Sequence, residues 1–188
     1  MTSITPLQAA RQRRERSIVQ AARRIAESDG WAAVTVRRLA DAIGFSQPVL
    51  YGHFPEGRDG IVRAVAMDGF DRLADTLDGA TTGIADLAAR YLDFAKENPA
   101  AYEAMFSLPI DVSFGSDATP ASLRASFAAI ESVITAESDD RESEAEVLWA
   151  SLHGIAELGR HNRLRPSHAD ARIKLLVQRF SGPCHEVG

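Results

Sequence analysis

The residues TVRRLADAIGFSQPVLYGHF, at positions 35–54, decide the predicted fold. On both sides of Gly44, apolar side chains recur at the three- and four-residue spacing that places them on one face of an α-helix. Gly44 suits the left-handed turn that ends a helix, and Ser46 is a typical N-cap of the helix that follows. The stretch therefore predicts two short helices joined by a tight turn. Their apolar inner face would consist of Val36, Leu39, Ile43, Phe45, Leu50 and Phe54.

A longer helix is predicted before this stretch. Residues 5–8, with the sequence TPLQ, combine an N-cap threonine, a proline at the first helical position and a capping-box glutamine. Ile18, Ala22 and Ile25 then share one helical face. Three helices within residues 6–54 have the size of a helix-turn-helix unit. In such units the last helix enters the major groove of DNA while the preceding helix braces against the backbone.

Helical spacing continues through the rest of the chain, and strand-like alternation is scarce. Caps and helix breakers predict six further helices, at about residues 58–77, 82–97, 99–106, 120–136, 140–161 and 167–182. We therefore expect an all-α protein of about nine helices. A three-helix head would occupy residues 1–55, and a helical body would occupy residues 56–188.

Charge is unevenly distributed along the chain. Its 188 residues carry a net charge of -5. Residues 1–55 contain eight arginines and four acidic residues and thus carry +4, so the remainder carries -9. A basic head on an acidic body is typical of a protein that contacts phosphate at one end only. A solvated helix start explains the arginines of residues 11–16 equally well.

Cysteine usage and hydropathy narrow the class of protein. Cys184 is the only cysteine, which excludes an intramolecular disulfide and a multi-cysteine metal site. No apolar run approaches the ~20 residues of a membrane span. The sequence also lacks metal-ligand spacing, a glycine-rich phosphate loop and a nucleophile elbow. We expect a cytoplasmic protein that uses no cofactor or metal and no membrane. An enzyme built on His153, His161 and His168 is a remote alternative.

The polar residues of the third helix fit base recognition. Gln47, Pro48 and Tyr51 lie on the helix face opposite Leu50. A glutamine amide can bond an adenine edge in two places, and proline can pack on a thymine methyl group. Arg37, on the outer side of the second helix, can reach guanine or phosphate. Gln47 and Arg37 are therefore the strongest candidates for contacts with DNA.

Residues 35–54 also resemble the DNA-binding segment of the TetR family of transcriptional regulators, and the resemblance extends over about residues 10–65. It implies that four side chains contact phosphates or border the groove, and such contacts set register rather than sequence preference. These four are Thr35, Ser46, Tyr51 and His53. Arg38 and Arg58 complete the predicted set, although Gly57 stands where the family often has a lysine. A half-buried aromatic residue and a surface histidine are the structural alternatives for Tyr51 and His53.

The body resembles a TetR subgroup marked by Trp149 followed by His153 and Gly154. The resemblance implies a domain for ligand binding and dimerisation. An apolar interior could form where eight side chains converge, and it would suit a hydrophobic or aromatic effector. These residues are Tyr91, Phe94, Tyr102, Met105, Phe106, Phe127, Trp149 and His153. Ordinary hydrophobic core explains the same spacing, and His153 then becomes a hydrogen-bonded core histidine.

The last two predicted helices each carry an apolar face. In the TetR family this pair forms a four-helix dimer interface, although monomer core explains part of the pattern equally well. The resemblance implies a homodimeric regulator, by default a repressor. It would bind a palindromic operator and be released by a small molecule. A small-molecule carrier or interaction module with a non-specific DNA-binding head is the alternative.

Overall fold

The computed structural model describes residues 5–78, 82–110, 119–134 and 140–180. This part of the chain contains nine α-helices and no strand, as expected. The helices are α1 (Pro6–Asp29), α2 (Val36–Ile43), α3 (Gln47–His53), α4 (Arg58–Leu77), α5 (Ile84–Glu97), α6 (Pro99–Phe106), α7 (Ala121–Ser132), α8 (Arg141–Arg160) and α9 (Ala169–Phe180). Short 3₁₀ turns precede α2 and α9, at Trp31–Ala33 and Pro166–His168. Cys184 and the expected end of the last helix lie outside the described residues.

The predicted caps of the head are present, with one difference. The capping box at Thr5 is complete: its N–H donates to Gln8 Oε1 at 2.9 Å, and the Gln8 N–H donates to Thr5 Oγ1 at 3.3 Å. Gly44 ends α2 in the left-handed conformation, with φ 68°. Ser46 precedes α3, but its hydroxyl makes no capping hydrogen bond. Pro48, at the second helical position, has no N–H to donate to that hydroxyl.

The described chain divides into two compact units. The first contains the described residues up to Gly69 together with residues 99–110. In this unit α1 packs against α2, α3 and α6. Ile18, Leu39 and Leu50 are almost completely buried in it, whereas Val36, Ile43, Phe45 and Phe54 of the expected inner face are only half-buried. The buried Trp31 Nε1–H donates to the carbonyl of Ala100 at 3.0 Å, which joins α6 to the 3₁₀ turn between α1 and α2.

Close packing joins α4 and α6 in the same unit. A Cβ added to Gly69 would lie 2.6 Å from the Met105 sulfur and 2.9 Å from its Cγ. With any other residue here the flexible Met105 side chain would have to shift, since real Cβ atoms do not come so near another atom. The predicted boundary at residue 55 falls in the turn before α4, and the division at that residue stays a prediction.

The second unit contains the described residues of Phe70–Asn98 and those from 119 to 180. Here α5 packs against α8 and α9, and α7 packs against α8. The core includes Leu87 and Tyr91 of α5 and Leu148 and Leu152 of α8, all with no measurable exposure. Helix α4 therefore begins in the first unit and ends in the second, and the turn from α5 to α6 leads back to the first.

Candidate nucleic-acid interface

Helices α2 and α3, with the residues that cap them, display most of the side chains that were predicted to contact DNA. Leu50 is 1% exposed and faces the interior, whereas Tyr51 is 48% exposed. The exposed members of the predicted set are Thr35, Arg37, Arg38, Ser46, Gln47, Pro48 and Tyr51, while His53 and Arg58 are half-buried. Val49 is also exposed, at 38%, and adds an apolar group to the face of α3. The surface thus combines amide, aromatic and apolar groups, which can bond base edges and pack on thymine methyls.

The two neighbouring arginines of α2 differ in their surroundings. Arg38 Nη2 pairs with Asp29 Oδ2 at the end of α1. The hydrogen bond from Arg38 holds the pKa of Asp29 below its usual value, and a bond from Ser28 acts in the same direction. Arg37 is exposed and makes no hydrogen bond or ion pair with another described residue. Its guanidinium is therefore free to bind an external acceptor.

Arg58 holds the turn before α2 in place. Its Nε donates to the carbonyl of Val34 and its Nη2 to that of Trp31, both at 3.1 Å. The Trp31 carbonyl also accepts from the Val34 N–H at 3.2 Å, which closes the 3₁₀ turn, so the guanidinium adds a second bond to it and ties Val34 to the same side chain. A phosphate contact by Arg58 stays a prediction, and it would use the remaining nitrogen or displace these bonds.

His53 lies against α1 rather than on the surface. Its side chain is only 7% exposed, and Nδ1 lies 3.2 Å from Glu15 Oε1. The same carboxylate oxygen accepts from Arg11 Nε at 2.9 Å. Sequence reasoning missed Arg11 and Glu15. Their four-residue spacing indicates a helical ion pair, but nothing in the spacing names the tertiary partner.

The eight candidates for an effector pocket fall in both units. Tyr102, Met105 and Phe106 belong to the first, and the rings of Tyr102 and Phe106 pack at a tilt of 53° with centroids 4.8 Å apart. Tyr91, Phe94, Phe127, Trp149 and His153 belong to the second. There the indole N–H of Trp149 donates to the Tyr91 hydroxyl at 3.1 Å, and the Phe127 ring meets the Trp149 ring edge-on with centroids 6.2 Å apart.

A groove of about 440 Å³ lies elsewhere in the second unit. It is lined by the end of α4, with Ala74 and Asp75, and by α7, with Ala125, Ala129 and Ser132. None of the eight candidate residues lines it. Tyr91 and Tyr102 have no measurable exposure, which is also what ordinary core would give. The role of the eight residues in effector binding stays a prediction.

His153 of α8 has an altered proton affinity. Partial burial lowers the pKa of its imidazole below the ordinary value of 6.5. The carboxylate of Glu157 opposes this shift, and the cation of Arg160 adds to it. The neutral form is therefore favoured in the folded protein.

Comparison with known families matches both parts of the chain. Residues 18–65, which include α2, α3 and their turn, match the model of bacterial regulatory proteins of the tetR family. Residues 84–180 match the tetracyclin repressor-like C-terminal domain. This chain belongs to the TetR family. It is a transcriptional regulator with a DNA-binding helix-turn-helix, as the sequence predicted.

A relative and two solved structures resemble the chain along most of its length. The uncharacterized HTH-type transcriptional regulator Rv0681 of Mycobacterium tuberculosis is 29% identical over 175 residues, covering 88% of this chain and 78% of the relative. Regulatory protein SCO4313 has a TM-score of 0.74 at 22% identity, covering 93% of this chain and all of the other. A protein of unknown function from Rhodococcus sp. RHA1 has a TM-score of 0.70 at 24% identity, covering 88% and 92%. Both solved structures share the fold of this chain.

The described residues contain neither a membrane-spanning helix nor a metal-ligating cluster. None of the described helices is long and apolar enough to cross a membrane. Within the same ranges, no three His, Cys, Asp or Glu side chains come together as a metal site would require.

Proposed function

We propose that this TetR-family regulator binds a palindromic operator as a homodimer, represses transcription by excluding polymerase, and leaves the operator when a small molecule binds. The observation that carries the proposal is the surface of α2 and α3. Arg37, Gln47 and Tyr51 are exposed on it, while the opposite side of α3 is buried through Leu50. An exposed face of this composition, on the helix that such units insert into the major groove, favours reading of base edges.

Contacts with bases and contacts with phosphates would come from different side chains, according to the polar or apolar atoms that each side chain exposes. Gln47 and Pro48 would read base edges, with Val49 packing on a thymine methyl. The Ser46 hydroxyl, which caps no helix, can donate to a phosphate. Thr35 can do so as well, because its oxygen only accepts, from the Arg38 N–H at 3.2 Å. These phosphate contacts would set the register of α3 in the groove.

Arg37 and Arg38 would contribute unequally to the affinity. Arg37 has no partner within the described residues and can bind guanine or phosphate without breaking an existing contact. Arg38 would have to give up its pair with Asp29 first. We therefore assign the larger share to Arg37.

Homodimerisation through α8 and α9 is supported by their exposed apolar side chains. Val147 is 57% exposed, Leu158 42% and Leu175 64%. These are three of the six large apolar residues that are exposed in the described part of the chain. A two-fold interface would bury them twice, once in each protomer. It would also present two copies of α3 to half-sites about 34 Å apart, which explains why the operator would be palindromic.

Release by an effector would use the path of the chain between the two units. Helix α5 of the second unit carries Tyr91 and Phe94 and leads directly through Asn98 into α6, which belongs to the first unit with α1. An effector that binds one conformation of the second unit more tightly would shift the population of head positions. The aromatic residues around Trp149 favour a hydrophobic or aromatic molecule.

Selection from random duplexes tests the operator proposal. We expect the purified protein to enrich a two-fold symmetric site at moderate salt. Gln47→Ala should relax the preference at matching positions in both half-sites. Gln20→Ala, an exposed glutamine on α1, is the matched control and should leave the recovered site unchanged. Weak, steeply salt-dependent binding with no enriched sequence would instead favour the carrier with a non-specific head.

A further inference from the structure

A cluster of four residues joins α1 to the C-terminal end of α3. Glu15 Oε1 accepts from Arg11 Nε at 2.9 Å and lies 3.2 Å from His53 Nδ1. Arg11 Nη2 also donates to the carbonyl of Gly52 at 3.2 Å. Glu15 is thus the acceptor that Arg11 and His53 share. Arg11 contacts both the Glu15 carboxylate on α1 and the backbone of α3.

The cluster supplies hydrogen-bond partners at the C-terminal end of α3. The last carbonyls of a helix have no partner within it, and Arg11 bonds one of them at Gly52. A helix as short as α3, at Gln47–His53, gains most of its order from packing rather than from its own hydrogen bonds. The His53 side chain is only 7% exposed, so Glu15 supplies a hydrogen-bond partner to an imidazole that is largely shielded from water in the folded protein.

Because Glu15 is negatively charged, a role in positioning α3 and a direct electrostatic role would have different effects on DNA binding. A carboxylate in a basic head repels phosphate, so a purely electrostatic Glu15 would weaken binding to every DNA sequence alike. A carboxylate that orients α3 would instead favour the sequence that α3 reads. Gln47 and Tyr51 lie on the same short helix as His53. A change in the contacts at the end of this helix therefore alters the orientation of both side chains relative to the bases.

We propose that Glu15, with Arg11 and His53, positions the reading helix and so contributes to operator discrimination without contacting DNA. The inference rests on the proposed reading of an operator by α3. His53 acts through Glu15 on α1 and not on a phosphate. The interface with DNA therefore depends on residues that lie behind it.

Two substitutions at Glu15 test the proposal. Glu15→Gln removes the charge but keeps the acceptor oxygen, whereas Glu15→Ala removes both. We would measure Kd by fluorescence anisotropy, at one salt concentration, for the selected operator and for a scrambled duplex of equal length. We expect Glu15→Ala to lower the ratio of the two affinities by about tenfold, the size expected for the loss of one partly buried hydrogen bond to a charged group. Glu15→Gln should keep most of the ratio.

A matched control is available on the same helix. Glu27 forms a second four-residue ion pair with Arg23, at 3.7 Å. Glu27→Ala removes one acid from α1 as Glu15→Ala does, and it should leave the ratio unchanged. Thermal melts of all variants show whether the head stays folded.

Three results would overturn the proposal. If Glu15→Ala and Glu15→Gln both lower Kd by the same factor on the two duplexes, Glu15 acts by charge alone. An equal loss on both duplexes, with a lowered Tm, would mean that it acts on stability alone. The third result concerns His53→Ala. If its effect on the binding free energy adds to that of Glu15→Ala, and it lowers the slope of log K against log salt, then His53 contacts a phosphate. Failure of the wild-type protein to select any site would instead contradict the proposed function.

Discussion

The backbone of Gly57 lies close to the ring of Tyr51. Gly57 adopts φ 61°, and a Cβ added there would lie 3.2 Å from Tyr51 Cε1. The ring of the exposed tyrosine on α3 is thus supported by the turn that begins α4. The position where the TetR family often has a lysine is occupied here by a residue whose conformation disfavours any side chain.

Gly57→Ala should therefore destabilise the protein. The left-handed conformation costs a non-glycine residue about 1–2 kcal/mol, and the added methyl group crowds Tyr51. We expect the free energy of unfolding in urea to fall by about that amount and affinity for the operator to fall with it, because the Tyr51 ring must shift. An unchanged urea midpoint would show that this turn relaxes freely.

Gly52→Ala should have the opposite effect. Gly52 lies within α3, and a Cβ there would meet no atom within 4 Å. Alanine is favoured over glycine inside a helix by about 1 kcal/mol, so the Tm should rise. The carbonyl that accepts from Arg11 is retained. A lower Tm would mean that the added methyl group meets an obstacle that the structure does not show.

Arg37→Ala should weaken operator binding more than Arg38→Ala. Loss of a contact to guanine costs about 1–3 kcal/mol, while loss of a phosphate contact lowers the slope of log K against log salt by about one. Arg38→Ala breaks an ion pair that is exposed to solvent, so it should change stability little. Titrations of the operator at several salt concentrations measure both effects. Equal losses from the two variants would contradict the assignment of the larger share to Arg37.

Leu175→Glu should separate the proposed dimer. A charge placed in an apolar interface without a partner costs several kcal/mol, so sedimentation should report a monomer at micromolar concentration. Binding to the full palindrome should fall while binding to a half-site remains. Leu7→Glu is the control, because Leu7 is 84% exposed on α1, far along the chain from α9. A dimer that persists with Leu175→Glu would place the interface elsewhere.

His153 should make stability depend on pH. Burial lowers the pKa of its imidazole below 6.5, so between that lowered value and 6.5 the unfolded chain binds a proton that the folded chain does not. The contribution of His153 to stability is therefore complete above pH 6.5 and is lost as the pH falls below it. Urea unfolding at pH 7.5 and pH 5.5 should show a smaller difference for His153→Asn than for the wild type. His168→Asn, at an exposed position, is the control and should keep the wild-type difference.

The sequence predicted fewer contacts in the body than in the head. Trp149 and Tyr91 were expected near each other only as members of an apolar interior, and the hydrogen bond between them joins residues 58 positions apart. Helical spacing cannot distinguish an aromatic residue that lines a cavity from one that fills the core, because both face inward. Their assignment to an effector pocket therefore remains a prediction.

The sequence by itself determined the helices, the turn at Gly44, and the exposure of Gln47 and Tyr51 opposite Leu50. Helical periodicity and caps act over three or four residues, so they can be read directly from the chain. Only the tertiary structure decided what the charged side chains of the head bind. His53 meets Glu15 across 38 residues, and Arg58 meets Val34 across 24. Such pairs form because packing of helices brings distant groups together, and no local pattern encodes that proximity.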